Sequence, residues 1–199
     1  MLFRSRHQLI FGFSLLKMDW TTIKLWYSLK DMRADTILYK IVETFEHKGI
    51  SCLEQTEYLK NQIIQDEGFI IGPISESLKD EAAFGFKLAK GLGELDIGQS
   101  IVIKNKAVVA VEAMEGTNKC LKRAHEIAGE GCILIKVSKP KQDLRFDVPT
   151  IGMQTVERLK EMKAQALVVE AEKTLFLEKQ KCLESLEAAG VKLISIKAT

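Results

Sequence analysis

The chain has 199 residues, of which 46% are hydrophobic and 28% charged, an ordinary globular balance that suits one large domain or two small ones. A formal charge of +2 argues against a general electrostatic attraction to nucleic acid or to an acidic membrane, so no polyanion partner is expected. Cys52, Cys120, Cys132 and Cys182 lie far apart with no CxxC pair, and His7, His47 and His125 do not complete a soft-ligand site; the cysteines read as small core residues in a reducing compartment, and any metal is expected on oxygen.

The opening residues 1–16 place Arg4 and Arg6 ahead of a short apolar run, which superficially resembles a signal peptide. No small-residue cleavage site follows, and Lys17, Asp19 and Trp20 come at once. No run approaches the roughly 20 apolar residues of a membrane helix, so a cytoplasmic protein is expected. The spacing of Ile23, Trp26 and Tyr27 predicts a helix over residues 20–30, and that of Ile37, Leu38, Ile41, Val42 and Phe45 a second, N-capped by Asp35 and stopped at Gly49. A short helix over residues 58–64, a turn-bounded apolar run over 68–73 and a helix over 77–91 follow. This part is mainly helical, without a clear sheet of its own.

Near residues 90–95 the texture changes to β-branched strands, which divides the chain into residues 1–92 and 93–199. Residues 101–104 and 107–111 flank Asn105-Lys106 as a hairpin. Helix 118–128, strand 132–137, helix 155–163, strand 167–170, helix 178–189 and strand 191–196 complete the chain. The expected fold class is therefore α/β: a C-terminal α/β domain with a largely parallel sheet, plus a mainly helical N-terminal domain. Ligands of such sheets bind outside the carboxyl ends of the strands.

Three constellations stand out. Asp96-Ile97-Gly98-Gln99 sets a carboxylate and an amide around a glycine that permits close backbone approach; it can meet a sugar or a metal-bound water, or form a plain turn. In Glu112-Ala113-Met114-Glu115-Gly116-Thr117 a strand runs into a helix, with Thr117 as N-cap and a helix N-terminus that favours phosphate. Glu112 and Glu115 would repel that anion unless Mg²⁺ intervened, so the pattern points to a metal-bridged phosphate, against the common alternative of an acidic strand end before a capped helix. The third is residues 139–149, bracketed by Pro140 and Pro149 and so a shaped loop. If extended, it puts Asp143, Arg145 and Asp147 on one face, roughly 6.6 Å apart.

At this third stretch Lys136, just ahead of it, and Lys139 can neutralise phosphate, Asp143 and Asp147 can hold a metal or orient water, and Arg145 can clamp oxygens in a fork. The competing reading is a solvated loop in which Arg145 pairs with its neighbours, worth about 0 to 1 kcal/mol. No serine or cysteine sits in a nucleophile motif with histidine, and residues 170–174 read as a polar loop at another strand end.

Asp96-Ile97-Gly98-Gln99, residues 111–117, Val137-Ser138-Lys139-Pro140 with Gln142-Asp143-Leu144-Arg145-Phe146-Asp147, Ile151-Gly152 and Val169-Glu170-Ala171 resemble, in order and spacing, the LpxI-type UDP-2,3-diacylglucosamine pyrophosphatases of lipid A biosynthesis. The resemblance covers residues 95–196 closely, while residues 35–49 and 68–91 look like the later part of that family's N-terminal domain. It implies two domains with substrate between them, and Mg²⁺-dependent hydrolysis of UDP-2,3-diacylglucosamine to 2,3-diacylglucosamine 1-phosphate (lipid X) and UMP. The family's essential aspartate lies in the motif present here as Gln142, Asp143, Arg145 and Asp147, with Asp143 favoured and Asp147 second.

On this resemblance Asp143, Arg145 and Asp147 are expected to be catalytic, and Glu112, Glu115, Asp143 and Asp147 to hold Mg²⁺. Asp96, Gln99, Gly116, Thr117, Lys136, Lys139 and Gln142 are expected to bind substrate. The acyl chains would lie in an apolar groove of helices around residues 20–45 and 84–88. Peripheral contact with the inner membrane through the lipid substrate, and a homodimer, are further expectations. The family opens with a glycine-rich strand-turn-helix unit that nothing before residue 35 reproduces, so the chain is expected to lack the first part of the N-terminal domain. The alternative is a shortened homologue that binds nucleotide or lipid phosphate without turnover.

Overall fold

The computed structural model describes residues 20–30, 34–140, 142–145 and 147–198; the signal-like opening lies outside them. Helices α1 (Trp20–Tyr27) and α2 (Ala34–Glu46) come first, then a single turn α3 (Gln55–Tyr58) and a 3₁₀ turn, Lys60–Gln62. Strand β1 (Gly68–Ile71) leads to the long helix α4 (Glu76–Glu94), capped by the Ser75 hydroxyl, which accepts from the Leu78 N–H. The hairpin β2 (Ser100–Lys104) and β3 (Ala107–Val111) turns on Asn105 and Lys106, both left-handed at φ +51° and +58°, the conformation of a two-residue primed turn. Then follow α5 (Thr117–Ala128), β4 (Ile133–Lys136), β5 (Thr150–Ile151), α6 (Met153–Glu161), β6 (Ala166–Glu170), β7 (Leu175–Phe176), α7 (Lys179–Ala188) and β8 (Lys192–Ile196).

Six strands form one sheet in the order β1-β8-β6-β4-β2-β3, and β5 pairs with β7 in a small second sheet. The central pairs β4–β6 and β6–β8 are parallel, while β2 lies antiparallel to both β4 and β3, and β1 antiparallel to β8. Four of the six strands, β3, β4, β6 and β8, thus run in one direction. Every residue of β4 and β6 is buried, as befits parallel strands covered on both faces.

The alternation of side chains splits the core into two layers. Ile101, Ile103, Ile133, Ile135, Ala166, Val168 and Ile194 meet Leu78, Ala82, Phe86 and Ala89 of α4. On the opposite face Val102, Leu134, Leu167, Val169 and Leu193 pack against Cys120, Leu121, Val156, Leu159, Cys182 and Leu186 of α5, α6 and α7. Gly85 lets α4 settle onto the sheet, since a Cβ there would come within 2.7 Å of Ile135 Cδ1 and 2.9 Å of Ile103 Cδ1. Strand β1 precedes the expected division at residues 92 and 93 and α4 runs across it, and both belong to the same sheet and covering layer as the strands beyond it.

Among the fully buried side chains of the described residues Phe176 is the bulkiest, held by the two-residue strand β7 just beyond the polar loop read at residues 170–174. Phe176→Ala is expected to destabilise the fold by about 3–5 kcal/mol. Urea unfolding of the two proteins measures this as a lower midpoint at unchanged slope.

Candidate active site at the carboxyl ends of the strands

Strands β3, β4 and β6 finish at one edge of the sheet, and antiparallel β2 begins there: Ser100 pairs with Lys136, Ile101 with Val111, and Lys136 with Val169. The loops that leave or enter this edge carry all three expected constellations. In the first, Asp96 adopts φ +55° and its Oδ1 accepts from Lys139 Nζ at 2.6 Å. Gln99 Oε1 accepts from Gln142 Nε2 at 3.1 Å. Gly98 sits directly against the Glu112 backbone: a Cβ would overlap the Glu112 carbonyl oxygen and lie 2.9 Å from its carbon. The first and second constellations are therefore in van der Waals contact, and the first and third are hydrogen-bonded.

At the second constellation the structure corrects the expected cap. Gly116, at φ +83° and ψ 161°, is the N-cap of α5, and Thr117 is its first helical residue. A side chain at that positive φ would be strained, which is why glycine holds the position. The Thr117 hydroxyl instead donates to Glu112 Oε1 at 3.0 Å and accepts from Lys136 Nζ at 2.9 Å. Lys136 is 6% exposed and forms no ion pair among the described residues. Glu112 is 8% exposed, and its second oxygen, Oε2, is buried with no hydrogen-bond partner. Glu115 turns away from this group, accepting from the Ala113 N–H at 3.0 Å and from Arg123 at 2.6 Å. Although burial pushes its pKa up, the Arg123 hydrogen bond and backbone donors hold the carboxyl below the usual range.

The third constellation is the loop its prolines suggested, but not the period-two face. The chain turns at Leu144 and Arg145, so that the Asp147 N–H donates to the Asp143 carbonyl at 3.1 Å. This turn brings Asp143 and Arg145 side chain to side chain. Asp143 Oδ1 accepts from the Arg145 backbone N–H and Nε, both at 3.0 Å, and Oδ2 accepts from Nη2 at 2.7 Å. The fork lowers the Asp143 pKa against the opposing effect of burial, and it raises that of Arg145. Arg145 also reaches Glu46 of α2 through Nη1, and its carbonyl accepts from Gln55 Nε2 at 3.2 Å. Gln142 is the loop's fastener: its Oε1 accepts from Ser138 Oγ at 2.9 Å and from the Lys139 N–H at 2.8 Å. Lys139 is 5% exposed.

Glu170 and Ser138 enter the sequence reading as part of the resemblance, with no site role given to either, and Lys90 does not enter it; in the structure Glu170 is fully buried at the end of β6 and bonded to both. The available signal was an acid closing a wholly apolar strand, which has to be paired if buried. Cys120 lies beneath the site, its thiol pushed up to about 12 by burial and by Glu112, too high for a nucleophile.

Among the described residues no group of three or more His, Cys, Asp or Glu side chains could hold a metal ion. Of the four carboxylates expected on Mg²⁺, Glu115 and Asp143 face arginines, Asp147 lies in the loop turn, and Glu112 keeps its orphaned oxygen. These residues do not form a cage of their own. They suit an ion bound through one or two carboxylates and completed by phosphate and water, the usual habit of Mg²⁺.

Comparison with known proteins agrees with the layout of the chain. Residues 66–194 match the family model described as the LpxI C-terminal domain, and residues 4–62 that of the LpxI N-terminal domain. The first match starts upstream of the texture change at residues 90–95, and the second upstream of residue 35. The UDP-2,3-diacylglucosamine pyrophosphatase LpxI of Caulobacter vibrioides is 28% identical over 172 residues, covering 81% of this chain. The aligned region spans 61% of that relative's length.

Proposed function

Because the chain belongs to the LpxI family, we propose that it hydrolyses the pyrophosphate of UDP-2,3-diacylglucosamine, yielding lipid X and UMP in lipid A biosynthesis. The observation that carries this reading is Lys136, a buried ammonium at the end of β4 whose partner is a neutral hydroxyl. Its nearest carboxylate, Glu112, meets it only through that hydroxyl, and a buried cation with no direct ion pair favours an anion. It lies beside Gly116 and the first turn of α5, where backbone N–H groups and the helix dipole add to the attraction for phosphate. Lys139 supplies a second cation, fixed by Asp96, and Gln142 holds the loop that carries Asp143 and Arg145.

In this reading Lys136, Lys139 and the start of α5 bind the pyrophosphate oxygens. Arg145 takes up the charge that develops on them, and Asp143, freed from the fork as Arg145 turns to phosphate, orients the attacking water. Mg²⁺, held by Glu112 together with Asp143 or Asp147, would supply charge neutralisation of the pyrophosphate. Exposed Leu95, Ile97 and Met114 flank these residues and give the acyl chains an apolar rim. Among the described residues no helix is long and apolar enough to cross a membrane. In this reading the lipid substrate itself would bring the protein to the cytoplasmic face of the inner membrane.

The test is release of UMP from UDP-2,3-diacylglucosamine by the purified full chain with Mg²⁺, suppressed by a chelator. Lys136→Met is expected to lower kcat/KM roughly tenfold to hundredfold, the loss of a charged hydrogen bond. Thermal stabilisation by UMP or lipid X without any hydrolysis at high protein concentration would instead establish a non-catalytic binding homologue.

A further inference from the structure

We infer that Glu170 is a positioning residue for this site, acting through the two peptides that flank Ser138, one held by Glu170 itself and the other by its counter-ion Lys90; the inference rests on the phosphate-site reading above. Glu170 ends β6 at 0% exposure, so it cannot touch a substrate itself. Its Oε2 accepts from the Ser138 N–H at 2.8 Å and from Lys90 Nζ at 3.1 Å, and its Oε1 from Lys90 at 3.2 Å and from Lys173 at 2.9 Å. Lys90 Nζ in turn donates to the Ser138 carbonyl at 2.8 Å. Both backbone polar groups of Ser138 are thus gripped, one by the carboxylate and the other by its counter-ion.

The same helix provides the seat. Gly93 lies one turn beyond Lys90 on α4, and a Cβ there would come 3.4 Å from Lys139 Cα and 3.5 Å from Pro140 Cδ. Sheet edge and helix therefore converge on a single stretch of irregular chain, the stretch between the two buried lysines. Immediately beyond the grip, Ser138 Oγ and the Lys139 N–H meet on Gln142 Oε1, and the Lys139 ammonium reaches Asp96. An apolar contact would have covered the strand end at less desolvation penalty, whereas a carboxylate and an ammonium dictate where N–H and C=O must lie. That fixes the direction in which β4 releases Lys139, and hence the placement of its charge.

Glu170→Gln in the full chain keeps an acceptor for the Ser138 N–H and removes the charge that holds Lys90. It is expected to lower kcat about tenfold or more at a KM within about twofold of the parent, since displacements near an ångström have effects of this order or larger. The double variant Glu170→Gln with Lys90→Met, which removes the buried carboxylate charge together with its half-buried counter-ion, is expected to recover thermal stability without recovering kcat. It carries the test if the single variant does not fold. Parental kcat in a folded Glu170→Gln protein, or a kcat that recovers together with stability in the double variant, overturns the inference. A parent that hydrolyses nothing would sink the activity reading alone. Amide hydrogen exchange then decides this one: faster exchange at Ser138, Lys139 and Gln142 with Ile133–Lys136 unchanged supports the positioning role, and unaltered exchange at those three amides overturns it.

Discussion

Asp143→Ala is expected to lower kcat for UDP-2,3-diacylglucosamine hydrolysis by roughly 10²–10⁴-fold, with KM changed only severalfold, since in the proposed role the carboxylate would act on the reacting water rather than on substrate affinity. The structure makes this variant a clean one. Asp143 is half-buried in a loop and packs into neither core layer, so the fold should lose no more than about 1 kcal/mol, the usual worth of an ion pair open to water. Asp143→Asn retains an oxygen for the Arg145 N–H and should fold as the parent does while being equally inactive. Either variant turning over at the parental rate with Mg²⁺ present would remove Asp143 from the chemistry. The fork also gives a pH signature. Arg145 lowers the Asp143 pKa in the folded protein, so its contribution to stability is complete above the ordinary carboxylate value near about 3.9 and disappears as pH falls through the depressed one. Acid unfolding of Asp143→Asn should lack that component.

Gly98→Ala is expected to disturb both stability and turnover, although Gly98 carries no reactive group. The added methyl overlaps the Glu112 carbonyl, and backbone rather than a flexible side chain has to give way. Overpacking of this kind destabilises by about 1–3 kcal/mol. The segment pushed aside is the one that bears Glu112, with Thr117 and Lys136 bonded behind it, and a shift of about 1 Å there suffices for a roughly hundredfold loss of rate. Thermal unfolding and kcat/KM measured on the same preparation separate the two effects. A variant with parental values of both would show that the Asp96 and Glu112 loops are not tightly docked.

Much of this architecture was written plainly in the sequence. The strands around Ile101, Ile133, Ala166 and Ile194 are continuous β-branched and aliphatic runs, and the helices between them keep a 3.6-residue period, so element type and order could be read directly. Less legible was whatever depends on partners distant along the chain. The run beginning at Gly68 is a strand because β8 lies beside it, and nothing within four residues announces that neighbour. Thr117 looked like a cap because threonine favours caps, but a buried lysine and a buried glutamate claimed its hydroxyl. The charged alternation at Asp143, Arg145 and Asp147 suggested a flat face, whereas the attraction between a carboxylate and a guanidinium two residues apart favours a turn. Glu170 reads locally as the start of a polar loop for the same reason in reverse: its partners Lys90 and Ser138 are 80 and 32 residues away.

Arg145 has one guanidinium and two acidic neighbours, Asp143 in its own loop and Glu46 on the second helix, while its carbonyl is held by Gln55. A single rigid plane of nitrogens therefore ties the leading helices to the carboxylate on which turnover is expected to depend. Tilting α2 would draw Arg145 with it and alter the charge that Asp143 feels, and a phosphate that captured Arg145 would loosen the hold on α2. Displacing α2 is therefore expected to be felt at Asp143, and filling the site with phosphate to be felt at Glu46, through the same guanidinium.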